Sequence, residues 1–398
     1  GNENARTPNL DRLATEGVLY EHAYSNAPVC AVARSTLILG TYAPSLGLQH
    51  MRSRYEIPEE FKSYAEYLRE AGYYVTNARK TDFNFAADME VVFDEVSDDA
   101  HWKNRAEGQP FFAIFNTTVS HESSLFNRNI RTRTESGVYT MPHRVAPEAI
   151  DLPSYLPDDP NIRADHSYYH DAITAMDAFV GEQLQELEDA GLADDTIVFY
   201  YSDHGGVIPR AKRYVHDTGT HVPLIIRVPE KWAHLAPGRP GTRDERLVSF
   251  VDFGPTLLSL AGIPVPGQMH GEAFLGEQAR TEPRTSVFLY GDRFDAEMLK
   301  FERGVTDGQY RYLRNFHPFN PLNYQTGYPY GQAGWRAWKA AFHEGRTEGI
   351  GASYWLPGQP ADSLFNTDED PWEIDNLIED PWHRSRLAAM KKLLMETM

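Results

Sequence analysis

Residues 196–206 read Thr196-Ile197-Val198-Phe199-Tyr200-Tyr201-Ser202-Asp203-His204-Gly205-Gly206. A run of β-branched and aromatic residues ending in a polar, glycine-rich turn predicts a buried strand followed by a tight loop. Just upstream, Tyr169, Ile173, Met176, Val180, Leu184 and Leu187 recur every three or four positions. This period predicts a long helix over about Arg163 to Ala190, with Gly191 as its C-cap. A helix feeding a buried strand is the repeating unit of an α/β sheet. Ligands of such sheets bind beyond the carboxyl ends of the strands. Asp203 and His204 therefore stand where chemistry is done, and a carboxylate next to an imidazole is a plausible pair of ligands for a divalent cation.

The same pattern extends in both directions. Thr7 before Pro8 predicts a helix with a hydroxyl cap and proline in the first turn, ending near Gly17. A second helix is expected over Glu59 to Ala71, stopped at Gly72, then a strand over Tyr73 to Thr76. Phe111 to Phe115, after Pro110, reads as a buried strand, as does Pro223 to Val228, and Pro255 to Ala261 as a short helix. These elements predict an α/β fold whose central sheet is mostly parallel, with helices on both faces.

From about Thr285 the texture changes. Tyr310 to Arg314 and Ser353 to Leu356 are short and aromatic, which predicts a smaller antiparallel sheet closed by a helix from Pro381 to Met398. Asn315 to Gly351, rich in Tyr, Trp, Gly and Pro, reads as a long ordered loop of the kind that carries specificity. Two domains are expected, 1–284 and 285–398.

The 398 residues carry 38 basic and 57 acidic side chains, a formal charge of −19, so no global field recruits nucleic acid or an anionic membrane. No apolar run approaches the roughly 18 residues of a membrane span. An anionic ligand would need a local basic pocket.

The one cysteine, Cys30, excludes an intrachain disulfide framework. It precedes an Ala-rich helical stretch, so it lies at a helix N-terminus, where the unpaired N–H groups favour an anion. Arg34 follows one turn later on the same face. A tyrosine-phosphatase loop needs five residues between Cys and Arg; here there are three. Lys80, His121 and Lys212 each follow or flank an expected strand, at the same edge of the sheet as Asp203 and His204.

Taken in order, these residues resemble the sulfatase family of the alkaline-phosphatase-like superfamily, over nearly the whole chain. Thr7 to Ala14 resembles the family's opening helix, and Cys30 to Arg34 with Ser35 to Gly40 its signature. Asp203-His204-Gly205 resembles its metal-binding turn, and Lys212 with Tyr214 and Gly219 to Ile225 its lysine segment. Val251 to Gly262 and Leu364 to Leu377 resemble later family stretches. The resemblance implies that Cys30 is converted by a formylglycine-generating enzyme to formylglycine, whose hydrate attacks sulfur with Arg34 and a divalent metal stabilising it. Lys80, His121, Lys212 and His221 would bind substrate, and Lys212 or His121 would protonate the leaving alcohol. Asp203 and His204 would ligate the metal, calcium by family habit, with manganese or zinc suited to the imidazole. The chain departs from the family at Val32, where Pro or Ala is usual, and at Asp82, where His is usual. It opens at Gly1, and the family's paired metal-ligating aspartates are expected in a strand upstream of the first helix.

The resemblance implies a sulfatase acting on a small-molecule or oligosaccharide sulfate ester, in the periplasm or outside the cell. A phosphatase or phosphonate hydrolase of the same superfamily, and a catalytically silent binding relative, are the alternatives.

Overall fold

The computed structural model describes residues 4–139, 145–236, 238–295, 298–322 and 327–398. Eleven strands and eleven α-helices follow one another along these residues. The first half holds α1 (Pro8–Glu16), β1 (Val18–Tyr24), α2 (Cys30–Leu39), α3 (Tyr64–Glu70), β2 (Tyr74–Ala78), α4 (Met89–Val92), β3 (Glu95–Ser97), β4 (Phe111–Phe115), α5 (Asn127–Glu135) and α6 (Pro160–Asp189). Next come β5 (Val198–Tyr201), α7 (Asp217–Thr220), β6 (Leu224–Arg227), β7 (Thr242–Ser249) and α8 (Phe253–Leu260). The chain closes with β8 (Val287–Asp295), β9 (Met298–Thr306), β10 (Tyr310–Asn315), α9 (Ala333–His343), α10 (Gly349–Ser353), β11 (Asp362–Asn366) and α11 (Arg384–Thr397).

The expected fold class is found. One sheet runs β5-β6-β1-β7 and another β3-β2-β4. Strand β1 pairs parallel with β7, and β2 parallel with both β3 and β4, whereas β6 is antiparallel to β1 and β5. Alternate residues of a strand point to opposite faces. On β6, Leu224 and Ile226 enter the main core with α2 and α8, while Ile225 packs with Leu10 and Leu13 of α1 and Met176 and Leu184 of α6. Helices therefore cover both faces. The C-terminal strands form a separate antiparallel sheet, β11-β10-β9-β8, followed by α11.

Local chemistry sets the helix boundaries. Thr7 does not cap α1; its hydroxyl donates to Asp11 instead. The buried Asp177 of α6 takes the role, accepting from the backbone N–H of Leu10 at 2.8 Å and of Asn9 at 3.2 Å. A carboxylate at these orphan donors also complements the positive end of α1. Helix α3 begins five residues later than expected, because Ser63 and Glu66 form a reciprocal capping box that defines the start. Helix α6 begins three residues earlier than expected, at Pro160, capped by Asp159. Gly17 lies against β6, where a Cβ would come within 2.6 Å of the Ile226 carbonyl. All ten residues of α2 are buried, as for a helix packed on every side.

The segment expected as one long loop, 315–351, instead contains α9, whose Trp335, Ala337, Trp338 and Ala341 are buried; its part at 323–326 lies outside the described residues. A helical period was hidden there by an aromatic, glycine-rich composition. Ser353 to Leu356 is not a strand. Ser353 ends α10, and Tyr354 turns inward onto Trp338 and Tyr214, with ring centroids 5.3 and 5.5 Å away.

Candidate active site

Cys30 is the first residue of α2, and the other expected groups follow strands that point toward it. Lys80 comes two residues after β2, His121 six after β4, and Asp203 and His204 directly after β5. Lys212 is carried by the turn between β5 and β6. The Cys30 Sγ lies 3.3 Å from His204 Nε2 and 3.4 Å from Lys212 Nζ. Lys212 Nζ is 3.5 Å from His121 Nε2, and Lys80 Nζ is 3.0 Å from Asp203 Oδ2. The fold thus brings Cys30, Lys80, His121, Asp203, His204 and Lys212 into one cluster.

The hydrogen bonds orient both imidazoles. His204 Nδ1 faces the Gly205 carbonyl at 2.8 Å, so this nitrogen donates and Nε2 is turned to Cys30 and to Asp203. His121 Nδ1 accepts from the Ser123 backbone N–H at 3.2 Å, so in the neutral ring Nε2 carries the proton and points at Lys212. Two donors facing one space suit an anionic oxygen.

The charges reinforce one another. Burial and the Asp203 carboxylate push the Cys30 thiol up, but Lys212, Lys80 and His204 outweigh them and hold it well below its ordinary value. Burial likewise opposes ionisation of Asp203, and Lys80, His204, Arg34 and Lys212 reverse that, leaving its carboxyl well below the usual range. Burial lowers Lys80, but Asp203 and Cys30 raise it further, and it stays an ammonium.

Arg34 braces the loop beside the cluster. Its Nε donates to the Thr81 carbonyl and its Nη2 to the Lys80 carbonyl, both at 2.7 Å, while Nη1 meets Asn116 Oδ1 at 3.1 Å. It therefore holds the loop that presents Lys80. Asp82, at φ +50°, is 3.8 Å from Lys80 Nζ and 3.6 Å from Arg52 Nε. The structure does not join His221 to the cluster. Its Nδ1 pairs with Asp217 at 3.0 Å and its Nε2 with the Glu21 carbonyl at 2.7 Å, so neither nitrogen is left for a ligand.

Residue-by-residue reading of the sequence missed the supports. Asn116 and Asn77 both donate to the Lys80 carbonyl. The turn bearing Lys212 has left-handed residues at Arg210 (φ +69°) and Arg213 (φ +78°), and is held from three sides. Arg213 N–H donates to the Pro28 carbonyl at 2.8 Å, and Arg210 donates to the Glu373 carbonyl at 2.7 Å and to Tyr354 and Trp372. Glu122 accepts both terminal nitrogens of Arg213, at 2.8 and 2.9 Å. Adjacency to His121 was the one available signal for Glu122.

Cys30, Asp203 and His204 offer ligand atoms that all lie within 4.8 Å of one another, the one such group among the described residues. A half-buried carboxylate and an imidazole whose far nitrogen is anchored on a carbonyl fit a divalent cation. No described helix is long and apolar enough to cross a membrane.

Comparison with known proteins agrees with this geometry. The family model described as Sulfatase matches residues 1–88 and 76–263, and that described as N-sulphoglucosamine sulphohydrolase, C-terminal, matches 209–323. An ulvan-active sulfatase of Formosa agariphila is 37% identical over 435 residues, covering 99% of this chain and 71% of the relative. N-sulphoglucosamine sulphohydrolase of Homo sapiens is 24% identical over 451 residues, covering 100% of this chain and 85% of the relative. A solved structure of a protein in complex with its substrate D-glucosamine-2-N,6-O-disulfate superposes with a TM-score of 0.71 at 16% identity, covering 100% of this chain and 93% of that one, a likeness of fold. With the family model spanning most of the chain and this level of identity along it, the chain belongs to the sulfatase family, whose members are sulfuric ester hydrolases.

Proposed function

We propose that this sulfatase hydrolyses a sulfate ester of a sugar within an oligosaccharide. The observation that carries this is the convergence of Lys212 Nζ and His204 Nε2 on Cys30 Sγ, at 3.4 and 3.3 Å, with His121 behind Lys212. A cavity of about 690 Å³ supports the saccharide part; its wall begins at Thr81, Asp82 and Phe83, immediately after Lys80, and includes Arg52 and Arg54. Its size falls within the usual range for ligand sites. The name of the Formosa relative supports a sulfatase acting on ulvan, and that of the human relative supports a sulfated amino sugar, so both favour a sulfated saccharide.

Family membership implies a formylglycine at Cys30 and a divalent metal, and together these supply the oxygen nucleophile for sulfur and polarise the sulfate. We assign the metal to Asp203 and His204, with calcium as the cation and manganese and zinc as the competitors that His204 favours. Lys80 and His121 Nε2–H bind the sulfate oxygens. We assign the acid for the leaving oxygen to Lys212, whose Nζ stands 3.4 Å from Cys30 Sγ. Arg34 fixes the Lys80 loop. The maturing partner is a formylglycine-generating enzyme, and the compartment is periplasmic or extracellular. We place the boundary between the site-bearing unit and the C-terminal unit at 284/285, with Tyr354, Trp372 and Glu373 of the latter bracing the Lys212 turn.

The test is turnover of sulfated oligosaccharides by protein co-produced with a formylglycine-generating enzyme, alongside the corresponding phosphate esters. Release of sulfate, with phosphate release slower, supports the reading; preference for phosphate or phosphonate esters overturns it.

A further inference from the structure

Glu122 is buried, with only 1% of its surface exposed, yet it adjoins the site through its two neighbours in space. Its Oε1 and Oε2 accept Arg213 Nη1 and Nη2 at 2.8 and 2.9 Å, a bidentate pair, and Oε2 stands 3.7 Å from Lys212 Nζ. Two consecutive cations, Lys212 and Arg213, thus share one carboxylate from the segment after β4. Burial pushes the Glu122 carboxyl up, but Arg213 and then Lys212 outweigh it, so the group is ionised. An ionised buried carboxylate with cations on both oxygens is rigid, because moving either partner uncovers a charge. Around Lys212 Nζ stand Cys30 Sγ, His121 Nε2 and Glu122 Oε2, at 3.4, 3.5 and 3.7 Å. Cys30 and His121 lie on the substrate side; Glu122 is tied back to Arg213.

We propose that Glu122 is the positioning residue for Lys212: with Arg213 anchoring it, its carboxylate holds the Lys212 ammonium against the reacting centre and so governs proton delivery to the leaving alcohol. The inference rests on the proposed role of Lys212 as acid. In the step concerned, the nucleophile oxygen that the matured Cys30 would supply forms a new bond to sulfur while the ester S–O bond breaks, its electron pair going to the leaving oxygen. That oxygen takes one proton from the Lys212 ammonium, which becomes an amine and is reprotonated from water. Arg213 alone would give Glu122 only a structural role, and the two roles differ in one observable. An ester whose leaving group is an alkoxide needs the proton, whereas a nitrophenolate leaves without it.

The experiment compares kcat/KM for a sugar sulfate and for 4-nitrophenyl sulfate, using the matured full chain and Glu122→Gln and Glu122→Asp variants. Taking the ratio of the two substrates within each preparation cancels the folded and matured fractions. The expected result is a fall of about 100-fold in the sugar-to-aryl ratio for Glu122→Gln, the usual size of a general-acid contribution. Glu122→Asp, which keeps the charge at a shorter reach, is expected to recover part of it. A ratio unchanged in Glu122→Gln overturns the proposal, whether total activity falls or not. A wild-type protein that hydrolyses neither sulfate ester overturns the reading of the site itself, and this inference with it.

Discussion

Lys80 and Asp203, 123 residues apart in the chain, meet at 3.0 Å where the ends of two separate sheets come together. Lys80 follows β2 of the three-stranded sheet and Asp203 follows β5 of the four-stranded one. The pair ties the side of the cluster proposed to bind sulfate to the side proposed to hold the metal, and each group stabilises the charge of the other.

Lys80→Ala is expected to raise KM for the sulfate ester by about 10- to 100-fold, since a hydrogen bond to a charged group contributes about 1.5–3 kcal/mol. Steady-state kinetics on the matured enzyme checks this. An unchanged KM would remove Lys80 from the substrate site.

Cys30→Ala is expected to abolish turnover while leaving the far-UV spectrum and thermal transition near those of the wild type. Cys30 opens α2 with only 2% of its surface exposed, and a smaller residue at that position removes few contacts. Intact-protein mass spectrometry gives the companion result: conversion of the thiol to the aldehyde lowers the mass by about 18 Da.

Removal of divalent cations with a chelator is expected to lower activity, with recovery on adding calcium. Asp203→Ala should weaken that recovery strongly, because it deletes an anionic oxygen ligand of the proposed pair. Calorimetric titration with calcium, manganese and zinc in turn ranks the metals. Equal binding of all three by wild type and Asp203→Ala would place the cation elsewhere.

Glu373 and Arg311, both fully buried, lie 2.9 Å apart and join the C-terminal sheet to the segment that carries Lys212. Glu373 also pairs with His216 Nδ1 at 2.9 Å and accepts from the Asp217 backbone N–H at 2.9 Å, and its removal leaves Arg311 paired with Asp217, at 2.7 Å. Breaking a buried pair costs up to about 3–5 kcal/mol, so Glu373→Ala should lower the urea midpoint markedly, and Glu373→Gln, which keeps an acceptor for His216 and Asp217, should lower it less.

Burial pushes the Asp165 carboxyl up to about 7, opposed by the Gly334 N–H and Arg336. The folded value exceeds the unfolded one, so the associated stability is fully present below about pH 4 and is lost as pH rises through 7. Asp165→Asn keeps an acceptor for Gly334 and has no charge to bury. It should melt above the wild type at pH 8, by up to about 4 kcal/mol at about 1.4 per unit, and converge with it near pH 4. Thermal melts across that range decide this.

Strong periods and short apolar runs made several elements legible in adjacent residues alone: β4 at Phe111–Phe115, the body of α6, and β5 leading into Asp203-His204. The same local pattern put Cys30, Lys80, His121, Asp203, His204 and Lys212 forward as candidates, because all follow or flank such elements. Burial alternation and helical period are local properties, and local properties are written in adjacent residues. Tertiary structure decided what those residues touch. Asp177 caps α1 from 167 residues away from Leu10, and Arg34 serves the Lys80 loop through backbone carbonyls that no motif encodes. His221 is consumed by Asp217 and Glu21, and Glu122 stands behind Lys212 only because the turn at Arg210 to Arg213 is locked by Pro28 and Glu373. Each of these depends on which polar groups remain to be satisfied once the chain is packed. That count is a property of the folded molecule as a whole.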